Sequence, residues 1–267
     1  MLNPPSALTE KSPEVEIVIK KISIDDVWKS LELGWHDFME KPSHYFFAAI
    51  ICPFIGMILF LWASSNNMFQ LLFPMAAGFA LLGPFIALFL YEISRRVENN
   101  LDTSWKHILA VIHSPAIPEI ALVGLMLMIL FSAWLFTAHI LYLSLFGPEY
   151  PASLLNFIID VIKTPRGWML ILFGNGIGGI FALLVFSTTV VTFPLLLDNN
   201  VSALNAIRTS IQAVKVNPIP LLLWGVVISF GIALGTLVAL IGLIIVLPVF
   251  GHATWHIYRQ VVLVRVN

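Results

Sequence analysis

A chain of 267 residues that is 59% hydrophobic and 11% charged, with mean hydropathy +0.93, carries more apolar surface than a soluble core of its size can hide. A formal net charge of -1 and the absence of any long basic block exclude the electrostatic footprint of a nucleic-acid-binding protein. Cys52 is the single cysteine, so the chain forms no internal disulfide and no cysteine-based metal cluster.

The opening stretch, MLNPPSALTEKSPEVEIVIK, mixes prolines and charges without a long apolar run, and residues 1–21 read as a mobile tail. A single membrane domain follows over residues 22–260. It begins with ISIDDVWKSLELGWHDFMEKP, whose helical spacing puts Trp28, Leu31, Trp35 and Phe38 on one apolar stripe. Spans at Tyr45 to Ala63 and Phe69 to Tyr91 come next, joined by the turn SSNNM. A second amphipathic segment, LDTSWKHILAVIHSP, leads into spans at about residues 117–146 and 168–197. A third, VSALNAIRTSIQAVKVNP, carries Leu204, Ile207, Ile211 and Val214 on one face and leads into the 32 apolar residues Ile219 to Phe250. One helix of that length would reach about 48 Å against a hydrocarbon core of roughly 30 Å. Two short spans with a turn near Gly231 to Thr236 resolve the mismatch, and residues 261–267 form a second tail.

The expected fold is therefore all-α, with six transmembrane helices. Charge placement supports an even count. With six spans, 12 of the 14 basic residues share the side of the termini, and only Lys163 and Arg166 lie opposite. Positive charge marks that side as cytoplasmic. The chain also reads as three repeats, near 22–92, 101–197 and 201–259, each an interfacial amphipathic helix followed by a transmembrane hairpin. Aligned on Pro42, Pro115 and Pro218, apolar residues coincide at Trp35, Ile108 and Ile211, and again at Phe38, Val111 and Val214.

Candidate chemistry gathers at the span ends. Pro84, Pro194 and Pro248 fall late in the even-numbered spans, and polar residues follow a turn or two later. The result is a cluster of Glu92, Asp198, His252, His256 and Arg259. If Arg259 marks the water boundary, His256 lies about 4–5 Å inside and His252 about 10 Å inside. His256 suits an interface, whereas His252 needs a partner, most simply Glu92, Asp198 or a main-chain carbonyl. Three functions fit such a cluster: a hydrogen-bonded clamp, a polar pocket for protons, an ion or an anionic substrate, and metal or haem ligation through His252 and His256. Two histidines alone supply few ligands for a metal, so no cofactor is expected. His139, midway along the third span, reads as a satisfied core residue. GNGIGG, residues 174–179, matches a dinucleotide fingerprint formally, but it sits inside an apolar span rather than between a strand and a helix. Gly174 with Gly178, and Gly231 with Gly235, read instead as small-residue faces for helix packing.

Three stretches, LLGPFIALFLYEISRRVE, FPLLLDNNVSALNAIRTSIQAVKVNPIPLLLW and LPVFGHATWHIYR, resemble a bacterial integral-membrane family defined as a domain of unknown function. The resemblance runs from about Ile24 to Gln260 and departs at Asn199, where the family commonly has arginine. It implies an inner-membrane location and about six helices, and no activity. Without a nucleophile–base constellation or a phosphate loop, the sequence argues against an enzyme. The leading expectation is an accessory, scaffold or assembly protein whose partners are the lipid bilayer and another membrane protein complex. The alternatives are a small transporter or ligand-binding protein using the polar cluster, and a haem- or metal-handling protein.

Overall fold

The computed structural model describes residues 15–40, 46–66, 68–79, 83–237 and 242–266. Tail residues 1–14, with Lys41, Pro42 and Tyr45 at the first helix–span junction, lie outside the described residues. The described chain is mostly helical, in the order β1 (Val15–Ile19), α1 (Ile24–Glu40), α2 (Phe46–Ser65), α3 (Leu72–Phe79), α4 (Gly83–Glu98), α5 (Trp105–Leu109), α6 (Ile117–Phe146), α7 (Leu154–Lys163), α8 (Pro165–Thr189), α9 (Thr192–Asp198), α10 (Ala203–Val216), α11 (Pro218–Leu237), α12 (Leu243–Val261) and β2 (Val262–Val266).

Helix starts follow local chemistry. Ser23 and Asp26 form a reciprocal capping box at α1, with the Asp26 carboxylate accepting from the Ser23 amide at 2.8 Å. Ser153, Thr164 and Ser202 cap α7, α8 and α10 by accepting from the amide three residues on. Glu119 adds a second cap to α10, accepting from the Ala203 amide at 2.6 Å. The α8–α9 break falls just before Pro194. There the Val191 amide finds a new acceptor in the buried Ser210 hydroxyl, the kind of substitute that lets a helix bend in an apolar setting.

Among the described residues, three helical stretches are long and apolar enough to cross a membrane: Ile117–Phe146, Pro165–Asp198 (α8 continued by α9) and Pro218–Leu237. The sequence reading of six rests in addition on α2, on α3 with α4, and on α12. The last apolar stretch divides into α11 and α12, as length requires. α11 continues through the expected turn at Gly231 to Thr236 as far as Leu237, because those residues stay helical and pack the two arms together. A Cβ on Gly231 would sit 2.4 Å from the Phe250 ring, and one on Gly235 would sit 2.9 Å from Leu243.

Helix α12 is the hub. It packs along α1 more extensively than any other pair of helices touch, and against α4, α9 and α11 as well. At the crossing with α1, Gly34 lies so close that a Cβ there would be 2.5 Å from the Ala253 amide nitrogen. Trp224, Trp255, Tyr258 and Phe193 are fully buried in the core around α12.

Two strands lie inside segments that the sequence placed in tails. β1 and β2 pair antiparallel in register Ile17↔Val264, so the beginning and end of the described chain lie side by side. Asn217 fastens this sheet to the helices: its Oδ1 accepts from the Ile22 amide at 2.8 Å, and its Nδ2 donates to the Lys20 carbonyl at 2.9 Å.

Candidate functional site

Helix α1 buries Val27, Ser30, Gly34 and Asp37, four residues along one side. Its aromatic stripe faces outward, with Trp28 48% and Trp35 49% exposed. The buried side consists of small and polar residues because it meets the backbone of α12 at close range. Asp37 is thereby delivered to the two histidines of α12 one turn beyond the Gly34 contact.

The resulting network is continuous. His256 Nε2 donates to Asp37 Oδ2 at 2.9 Å, and the Ser94 hydroxyl of α4 donates to the same oxygen at 2.5 Å. Ser94 Oγ also lies 2.8 Å from His252 Nδ1. A serine hydroxyl has one proton, so with that proton given to Asp37 its oxygen can only accept at His252, and the direction of this contact depends on which ring nitrogen carries the proton. Ser94 and His252 are fully buried and Asp37 is 4% exposed. Burial pushes the Asp37 carboxyl up. Hydrogen bonds from His256 and Ser94 and the charges of His256 and His252 outweigh that and hold it below the ordinary carboxylate range.

Aspartate, serine and histidine are also the members of a hydrolytic triad, but their order here is different. In a triad the histidine bridges the carboxylate and the nucleophile, and the nucleophile reaches substrate. Here serine is the bridge, and no part of it is exposed.

A second network binds the adjoining face of α12 to α4 and α9. Asp198 Oδ2 accepts from the Tyr258 hydroxyl at 2.8 Å, and Asn199 Nδ2 donates to Tyr258 Oη at 3.0 Å. Arg259 lies 2.9 Å from Glu98 and 3.5 Å from Asp198. Trp255 Nε1 donates to Glu98 at 3.1 Å. Glu92, 3% exposed, is held by Arg95 and Arg96 on its own helix at 2.8 and 2.6 Å. Arg96 in turn donates to the Asp102 carbonyl.

The five cluster residues of the sequence reading are thus divided. His252 and His256 share the first network, Asp198 and Arg259 share the second, and Glu92 keeps to its two arginines. Among the described residues, no group of three His, Cys, Asp or Glu side chains stands ready to hold a metal ion. Asp37 and Ser94 went unnoticed in the sequence. A glycine inside an amphipathic helix, with Ser30 and Asp37 on the same side, is the signal that could have found them. Of the glycines, Gly178 faces the Trp134 ring and Gly231 and Gly235 face α12, whereas Gly174 makes only an ordinary contact with Leu141. GNGIGG lies in the middle of α8. His139 differs from the satisfied core residue expected: its ring stacks near Tyr150, and its Nδ1 has no protein hydrogen-bond partner.

Long apolar helices carrying polar networks at their ends are the marks of a chain built for a bilayer. Residues 72–198 match the model of DUF2189, a predicted integral membrane protein family. That match runs from α3 through α9. It contains Glu92, Ser94, Glu98 and Asp198, and it stops short of Asp37 and α12. Of the three stretches that carry the resemblance, LLGPFIALFLYEISRRVE lies wholly inside it. No curated protein and no solved structure matches the chain. Over those residues the chain is similar to a predicted integral membrane protein family of unknown function.

Proposed function

We propose that the protein is a non-enzymatic scaffold or assembly factor of the bacterial inner membrane, with six spans in three repeats and both termini cytoplasmic. The β1–β2 pairing supports an even number of crossings, since hydrogen-bonded strands lie on one side of a bilayer. Three crossings would part them, so the remaining apolar helices are needed to complete the hairpins. The element order supports the repeat: α1, α5 and α10 each precede an apolar hairpin, and the returning arms α4, α9 and α12 meet one another.

The observation that carries the scaffold reading is the closure of both networks around α12. Asp37, Glu92, Glu98 and Asp198 each take their hydrogen bonds from protein donors, which favours a rigid clamp over an open binding cleft. The outward aromatic stripe of α1 then serves as a surface toward a membrane-protein partner. Affinity purification in mild detergent tests this. A partner recovered in stoichiometric amount supports the scaffold. Recovery of the protein alone, or with bound haem or metal in its spectrum and elemental analysis, overturns it.

A further inference from the structure

We propose that α7 is a membrane-interfacial helix seated on the phospholipid surface of the leaflet opposite the paired chain ends. The proposal rests on the reading of α6 and α8 as spans. Their ends fix the depth of α7: α6 stops at Phe146 and α8 starts at Pro165, so residues 147–164 occupy a single membrane boundary.

The ten residues LLNFIIDVIK are divided sharply by face. Asn156, Asp160 and Lys163 form a polar side, and Phe157 turns inward with its ring edge-on to Tyr142 at 6.2 Å. Leu155, Ile158, Ile159 and Ile162 form an exposed third side, Leu155 being 66% exposed. Gly167 holds α7 to the first turn of α8 so closely that a Cβ would lie 2.1 Å from the Val161 carbonyl oxygen. The bare apolar side therefore runs on into Trp168, Met169 and Leu172, exposed residues at the start of a span that lipid must surround. One continuous apolar surface meets one apolar phase, and at this depth that phase is the acyl–headgroup boundary. Lys163 and Arg166 flank it, placed for lipid phosphates, while Trp168 and Tyr150 are residues favoured at that level.

Nitroxide labels at Ile158→Cys and Asp160→Cys, each in a Cys52→Ala background and reconstituted into phosphatidylethanolamine–phosphatidylglycerol vesicles, test the proposal by power saturation. The Ile158 label should relax more with oxygen than with a nickel chelate, and the Asp160 label the reverse. Leu155→Cys provides a second apolar position should Ile158→Cys not fold. Nickel access at Ile158 equal to that at Asp160, or shielding of Ile158 from both relaxants, overturns the proposal. Leu172→Cys on α8 separates the causes of failure. An oxygen-accessible Leu172 with a water-accessible Ile158 defeats the α7 proposal alone. A nickel-accessible Leu172 defeats the spanning reading on which it rests.

Discussion

Gly34→Ala adds one methyl group at the closest approach of α1 to α12. That methyl carbon would lie 2.5 Å from the Ala253 nitrogen, 2.7 Å from the Val249 oxygen and 2.8 Å from the Ala253 Cα. Comfortable contacts between carbon atoms need about 3.5–4.0 Å. All three obstacles are backbone atoms inside a helix, so no side chain can rotate away and the helices must separate by about 1 Å. Asp37 lies one turn further along α1, and its 2.9 Å bond to His256 would then exceed hydrogen-bond range. Overpacking costs about 1–3 kcal/mol, and weakening hydrogen bonds to a charged group about 1.5–3 kcal/mol. Alanine's better helix propensity returns about 1 kcal/mol. The net expectation is a loss of about 1.5–5 kcal/mol, read as a lower melting midpoint in detergent and faster amide exchange along α1. Gly83→Ala is the matched control, because a Cβ there meets nothing within 4 Å among the described residues. If Gly34→Ala melts with the wild type, as Gly83→Ala should, the tight α1–α12 packing does not exist.

Other consequences are equally direct. His252→Ala, which strips a fully buried ring from Ser94, should cost about 2–4 kcal/mol, and half-buried His256→Ala less, so the melting order of the two variants checks the burial assignment. Asp37 titrates below its unfolded value of about 3.9, so it contributes stability above that pH, which is lost as pH falls through the folded value. Asp37→Asn should therefore remove acid sensitivity below about pH 4; an unchanged acid limb would count against an ionised Asp37. Asn217→Ala, which leaves the Ile22 amide and Lys20 carbonyl without their partner, should expose the peptide bonds after Lys20 and Lys21 to trypsin, measured as faster cleavage by mass spectrometry. Ile17→Cys with Val264→Cys, in a Cys52→Ala background, should form an oxidative crosslink in membranes; its failure in intact protein would argue for strands on opposite sides.

The apolar helices were legible because a bilayer demands long uncharged runs, and the two-arm division of the last run followed from length alone. The strands were not. VEIVI and VLVRV are five residues each, and their pairing joins opposite ends of the chain, so nothing local announces it. The site was legible in half. Proline spacing pointed to His252 and His256, of which His252 is fully buried and His256 partly so. Their partner was hidden because the apolar stripe of α1 drew attention to Trp28 and Trp35, whereas the face that packs is the one with small residues. In lipid an apolar stripe has a solvent of its own. Close protein contact then falls to glycine, serine and a hydrogen-bonded carboxylate. Asp198 is joined to Tyr258, Asn199 and Arg259.

A double-mutant cycle between Asp37 and His252 tests the clamp most directly. Melting of Asp37→Ala, His252→Ala and the double variant would be compared in one detergent. The network, acting through Ser94 as one unit, predicts that each single variant is destabilised and that the double is no worse than the weaker single, giving a coupling above about 1 kcal/mol. Losses that simply add would contradict it.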